Sequence, residues 1–291
     1  MLLVLSPVFA GAEIQVISLR TSTPPVVDGD SSDAVWRQAR PVLINDKTSG
    51  ETIILTSVYT DSDIYFLVQY PDKAENPLHK PWMWDQTAKA YLEGPHREDT
   101  FVFKWNMLDT DVDLSVFSDD DYRADVWYWK ANRSNPAGYA DDKMHILSST
   151  ADGRVDKTLN KTEVDQSTAL LSVSGHQRYL IRVADQGNPA YSTFKPDAKG
   201  APVLDQYPSA TPSGSRADVR AKGSWQGGFW FVEFSRKLTT GHDDDVQFDP
   251  PHPALFGVSI FSLYGNKLDV QSPNLYGMGR ISAPLRLIFS P

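Results

Sequence analysis

Ile53–Tyr70 reads IILTSVYTDSDIYFLVQY. Two runs rich in β-branched and aromatic residues, Ile53–Tyr59 and Ile64–Tyr70, flank the polar link Thr60-Asp61-Ser62-Asp63. Such side chains fit a pleated, half-buried surface, and a short polar link closes the two runs into a hairpin. Working outward, the same signal recurs at Val16–Leu19, Thr100–Trp105, Thr168–Val173, Tyr179–Val183, Gly228–Arg236, Phe256–Ser262 and Leu285–Phe289. Only Asp33–Ala39 reads as a short helix, with Ser31 or Ser32 as its cap and Trp36 turned inward. Strands scattered among turns predict an all-β protein, an antiparallel β-sandwich with few short helices. Residues 71–97 read as irregular. Residues 109–165 and 185–216 are polar stretches without an apolar core of their own. They are expected as loop insertions on one domain, 13–291, not as a second domain.

Composition agrees with that class. The 291 residues are 41% hydrophobic, with 8 Trp, 12 Tyr and 13 Phe to fill a large core and 20 Pro and 18 Gly to supply turns. A net charge of -9 argues against a nucleic-acid partner, since phosphates would go unneutralised. The absence of cysteine excludes disulfides, thiolate metal sites and thioether-linked haem. Leu2–Phe9 is an apolar run followed by Ala10-Gly11-Ala12, the pattern of a signal peptide over 1–12 with a small-residue cleavage site. It lacks a basic start, and a buried first strand is its other reading. Nothing later has the length of a transmembrane helix. No G-x-S-x-G elbow, H-E-x-x-H pair or phosphate loop occurs.

Asp28-Gly29-Asp30 with Asp33-Ala34-Val35-Trp36, and Ser57–Phe66 after it, resemble the opening of the family 9 carbohydrate-binding and related haem-binding sandwiches. Three further stretches are similar to the ethylbenzene-dehydrogenase-type haem-binding (gamma) subunits. These are Glu98-Asp99-Thr100-Phe101 through Trp105, Ala124–Arg133 (ADVWYWKANR), and Phe229–Gly241. The resemblance implies a sandwich holding one non-covalent haem b, with a methionine and a lysine as axial ligands. It implies an electron-transfer subunit of a periplasmic molybdenum oxidoreductase of the dimethyl-sulfoxide-reductase class. Its implied partners are an iron–sulfur subunit, a molybdenum catalytic subunit and a soluble cytochrome. Relatives that carry a second, covalent haem have its motif in the region of Met107–Arg123, which here has neither cysteine nor histidine. The substrate of the parent enzyme and the direction of electron flow are not legible in the sequence.

Few residues qualify as iron ligands, since the chain has 5 Met and 6 His. Residues 101, 103, 105 and 107 share a face while the strand continues, which sets the Met107 thioether beside Phe101, Phe103 and Trp105. Filling a gap in the core is the other fate of that methionine, and Met83, between Trp82 and Trp84, is the alternative donor. Phe256–Asp269 (FGVSIFSLYGNKLD) is a buried strand by composition, with Phe261 near its end and Gly257 and Ser259 leaving room beside the backbone. Lys267 follows its turn, and it ligates only as a neutral amine. His242 and His252 are the alternatives there. Arg236, Lys237, Lys130 and Arg133 are candidate propionate partners. Of the acidic groups 109–113, 119–121 and 243–245, the first has alternate carboxylates but lacks the Gly and Glu of a calcium loop, and all are expected to be solvated loops. In a carbohydrate-binding sandwich without a redox cofactor, the alternative reading, Trp82, Trp84, Trp127 and Trp129 would instead stack on sugar rings.

Overall fold

The computed structural model describes residues 14–47, 49–150, 164–261 and 281–291. Its strands are β1 (Ile14–Arg20), β2 (Val42–Asn45), β3 (Thr52–Tyr59), β4 (Asp63–Pro71), β5 (Trp82–Asp85), β6 (Ala90–Glu93), β7 (Thr100–Asn106) and β8 (Tyr122–Lys130). They continue as β9 (Asp141–Ser148), β10 (Val164–Leu171), β11 (Gln177–Ala184), β12 (Val203–Leu204), β13 (Arg220–Gln226), β14 (Phe229–Lys237), β15 (Ala254–Phe261) and β16 (Leu285–Ser290). The expected helix is a single 3-10 turn, Ala34–Arg37, with Trp36 buried as anticipated.

One sheet runs β10-β11-β9-β8-β7-β15-β16-β1-β3-β4-β14-β13, with β2 on the side of β3. Most neighbours are antiparallel. The exceptions are β1 with β16 and β1 with β3, which are parallel. Parallel neighbours need a long connection, and both of these are far from β1 in sequence.

The sheet closes on itself as a sandwich. Five strand steps separate β4 from β7, about 24 Å along a flat sheet at the usual strand spacing. Yet the rings of Phe66 and Phe103 lie 4.9 Å apart, and those of Trp129 and Trp230 also 4.9 Å apart. The β3-β4-β14-β13 half therefore faces the β8-β7-β15 half across one aromatic core. β7 is buried along its whole length. Phe101, Phe103 and Trp105 enter that core, while Val102 meets a second cluster containing Leu114, Val116 and Ile281. Gly257 does leave the expected room, and Ile281 occupies it.

The reading of 109–165 as a loop insertion is corrected for the part that forms β8 and β9. Their charged residues hid them, because the partners that satisfy those charges come from distant parts of the chain. Arg216 pairs with Asp141, and Arg236 with Asp125. Residues 185–216 hold only β12 and a one-turn helix, Gly214–Ala217. Residues 71–97, expected to be irregular, form the β5–β6 hairpin of a small second sheet with β12.

Buried carboxylates fasten the distinctive stretches to one another. Glu98 accepts from the backbone N–H groups of Asn132 (2.8 Å) and Arg133 (2.9 Å). Asp99 accepts from Trp230 Nε1 at 3.0 Å. Glu233 accepts from Gly29 N–H and from Trp36 Nε1, each at 2.9 Å.

Candidate functional site

β7 ends where Asn106 turns the chain. Its side-chain amide donates to Leu108 O (3.0 Å) and Thr110 O (2.8 Å), and its Oδ1 accepts from Leu108 N–H. Met107 sits at this turn. Its N–H donates to Arg123 O at 3.1 Å, one rung beyond the Asn106–Ala124 pair. The side chain thus stays on the Phe103/Trp105 face, as period two requires. It packs on Met144, Ile146, Ile181 and Val183.

Beyond Met107 opens a cavity of about 670 Å³. Leu108, Val246, Phe248 and Leu255 give it apolar wall, while Arg123 and Arg286 stand among Asp109, Asp111, Asp243, Asp245 and Asp249. Arg123 donates to Met144 Sδ at 3.2 Å. The 238–253 segment brings His242 and His252 to the same cavity. The Nδ1 of His242 lies 2.6 Å from Asp218 Oδ2, and that of His252 lies 2.8 Å from Asp249 Oδ2. A carboxylate beside Nδ1 is the second partner that metal-bound imidazoles commonly have. The hydrogen bond to Asp218 also raises the pKa of His242.

Behind the cavity wall lies a buried charged layer. Arg236 Nη1 donates to Asp125 Oδ2, its Nη2 donates to Val246 O, and Val246 N–H donates to the same Asp125 oxygen at 3.0 Å. Asp142, Asp185 and Asp245 are buried nearby. Burial, reinforced by the neighbouring carboxylates, pushes Asp142 and Asp185 well above the usual carboxylate range and Asp245 up to about 7. Asp125 is raised by burial against the pull of Arg236.

Of the candidate iron ligands singled out in the sequence, Met107, His242 and His252 line this one cavity. Trp105 stands one ring behind it, with its centroid 4.9 Å from that of Phe248. Phe103 lies deeper in the core. Met83 sits in β5 of the small sheet, opposite Leu92 and Val203. Lys267 and the side chain of Phe261 lie outside the described residues, while the backbone of Phe261 pairs with Thr100, at the other end of β7 from Met107.

Three of the expected propionate partners are engaged elsewhere. Arg236 is held by Asp125, Lys130 by Asp141 and Arg133 by Glu98. Lys237 is exposed. Trp127 and Trp129, considered as sugar platforms, are both 0% exposed. Asp245, expected in a solvated loop, is buried.

Sequence reading missed Arg123, Asp142 and Asp185. The alternation of apolar and polar residues through Tyr122–Lys130 was the available signal for Arg123. Nothing local marks the other two.

The family described as Ethylbenzene dehydrogenase matches residues 12–271. No curated protein matches the chain. Among solved structures, a carbohydrate binding module family 9 from Caldicellulosiruptor kristjanssonii, in complex with cellotriose, is 10% identical over 95% of each chain, with a TM-score of 0.41. A putative carbohydrate-binding protein from Bacteroides uniformis is 7% identical over 94% of this chain and 99% of its own, with a TM-score of 0.43.

Proposed function

Because the chain belongs to the ethylbenzene dehydrogenase family, we propose that it is a haem-binding electron-transfer subunit of a periplasmic oxidoreductase with a molybdenum catalytic subunit. The observation that carries this reading is the convergence of Met107, His242 and His252 on one cavity. Its volume of about 670 Å³ falls in the range of cofactor pockets. The residues fit the group. A thioether and two imidazoles are donors that haem iron accepts, and the walls are partly apolar.

A bound haem b supplies a one-electron couple there. Met107 would hold the iron by its thioether, which would favour the ferrous state. Lys267 would be the second donor, with His252 and His242 as the imidazole alternatives. Arg123, at the cavity rim, is placed to meet a propionate in addition to its contact with Met144. Asp218 and Asp249 fix the orientation of the two imidazoles. In this role the chain would exchange electrons with an iron–sulfur subunit, and with a soluble cytochrome on the other side.

The sugar-binding alternative has lost two of its four aromatic platforms to the core, since Trp127 and Trp129 are inaccessible. Potentiometry of the haem-loaded chain tests the proposal. A reversible one-electron couple is expected, shifted to lower potential in Met107→Ala. A haem that does not cycle reversibly rules out the electron-transfer role.

A further inference from the structure

We propose that Asp125, Asp142, Asp185 and Asp245 form a buried binding site for a hard divalent cation of the calcium type. Strand register assembles the group. Asp125 lies across from Trp105 on β7 and from Met144 on β9, and Asp142 lies across from Trp127 on β8. Asp185 follows Ala184, which pairs with Lys143, so it comes opposite Asp142. Asp245 arrives from the segment after β14.

Ligand oxygens of Asp125, Asp142 and Asp245 all lie within 4.8 Å of one another. Calcium holds its oxygens at about 2.3–2.6 Å, so two oxygens on opposite sides of one ion stand about 5 Å apart. The three carboxylates are therefore spaced to share an ion.

Asp185 is the independent sign of a ligand. It is 2% exposed, and neither of its oxygens has a hydrogen-bond partner. Both oxygens of Asp142 are likewise buried without a hydrogen-bond partner, while the Thr240 side chain contributes to Asp245 and that of Trp127 to Asp125. The cations at hand stand off, with Arg236 Nη1 3.7 Å and His242 Nδ1 3.8 Å from Asp245. Arg236 is already bonded to Asp125, and Arg216, whose charge reaches Asp185, is already bonded to Asp141. Burying charge at this density is costly without a counter-ion. An all-oxygen set without sulfur or imidazole selects calcium, magnesium or manganese over zinc or copper.

The test is thermal and denaturant unfolding of the full chain after chelator treatment, with calcium, magnesium or manganese added back. Calcium at a hundred times its Kd is expected to favour the folded state about 100-fold. Asp142→Asn and Asp185→Asn are expected to lose that response. They should also be at least as stable as wild type without metal, because each removes a crowded negative charge. Asp243→Asn, at an exposed neighbour, should keep the full response. Indifference of the wild type to all three ions overturns the site and leaves shared protons as the means of neutralising the cluster. An undiminished response in both Asp142→Asn and Asp185→Asn also overturns it.

Discussion

Met107 joins the packing of the protein to its proposed chemistry. It is half-buried against Met144, Ile146, Ile181 and Val183, so Met107→Ala should cost about 2 kcal/mol in unfolding experiments on the haem-free chain. The second donor is tested through protonation. An amine ligand must lose its proton to bind, so acid competes with iron for it. If Lys267 is the donor, lowering the pH converts a low-spin haem spectrum while the sandwich stays folded, and Lys267→Ala shows the converted spectrum at every pH. An unchanged spectrum in Lys267→Ala transfers the assignment to His252 or His242. Lys104 offers a check on burial itself. It lies on the opposite face of β7 from Met107, donates to Leu114 O (2.7 Å) and to the Tyr122 hydroxyl, and is pushed down to about 7 by burial. Between pH 7 and its unfolded value the unfolded chain holds a proton that the fold does not. Stability from this group therefore rises with pH across that window. Lys104→Met removes a slope of at most about 1.4 kcal/mol per pH unit, read as the difference between variant and wild type from pH 7 to 10.

At the scale of elements, Glu233 on β14 ties the opening turn and the Ala34–Arg37 helix to the sheet by accepting from Asp28 N–H, Gly29 N–H and Trp36 Nε1. Glu233→Ala strands these donors and should cost about 3 kcal/mol in denaturant unfolding. Burial raises its pKa from 4.5 to about 7, more than the three hydrogen bonds lower it. Between those values the folded state holds a proton that the unfolded state has released. This group's contribution thus falls as pH rises from 4.5 to 7 and is level above that. Glu233→Gln should abolish that part of the pH dependence. The elements legible in the sequence were those whose apolar runs outweigh their buried polar residues, as β14 does despite its buried Glu233 and Arg236. β3, β4, β14 and β16 announce themselves by β-branched and aromatic runs. β8 and β9 carry Asp125, Lys130, Asp141, Asp142 and His145 in positions that are fully or almost fully buried. Local polarity there reads as loop, because the compensating Arg236 and Arg216 lie 111 and 75 residues away in the chain. Met107 was legible for the converse reason: strand period alone places it. Its gathering with His242 and His252 was not, since it depends on how the 238–253 segment folds over the end of β7.

For the whole molecule, the sheet folded over an aromatic core leaves the cavity at one end, where β7 finishes and the segment between β14 and β15 crosses. Among the described residues no helix is long and apolar enough to cross a membrane, a finding that does not bear on crossing by strands. Family membership and the cavity converge on one claim, that this sandwich carries a haem. The most direct measurement is the absorption spectrum of the chain produced with haem available, followed by extraction into acidified organic solvent. The expected result is a b-type spectrum at one haem per chain, with all the haem passing into the solvent because no cysteine tethers it. A colourless protein that takes up no added haemin would contradict the claim.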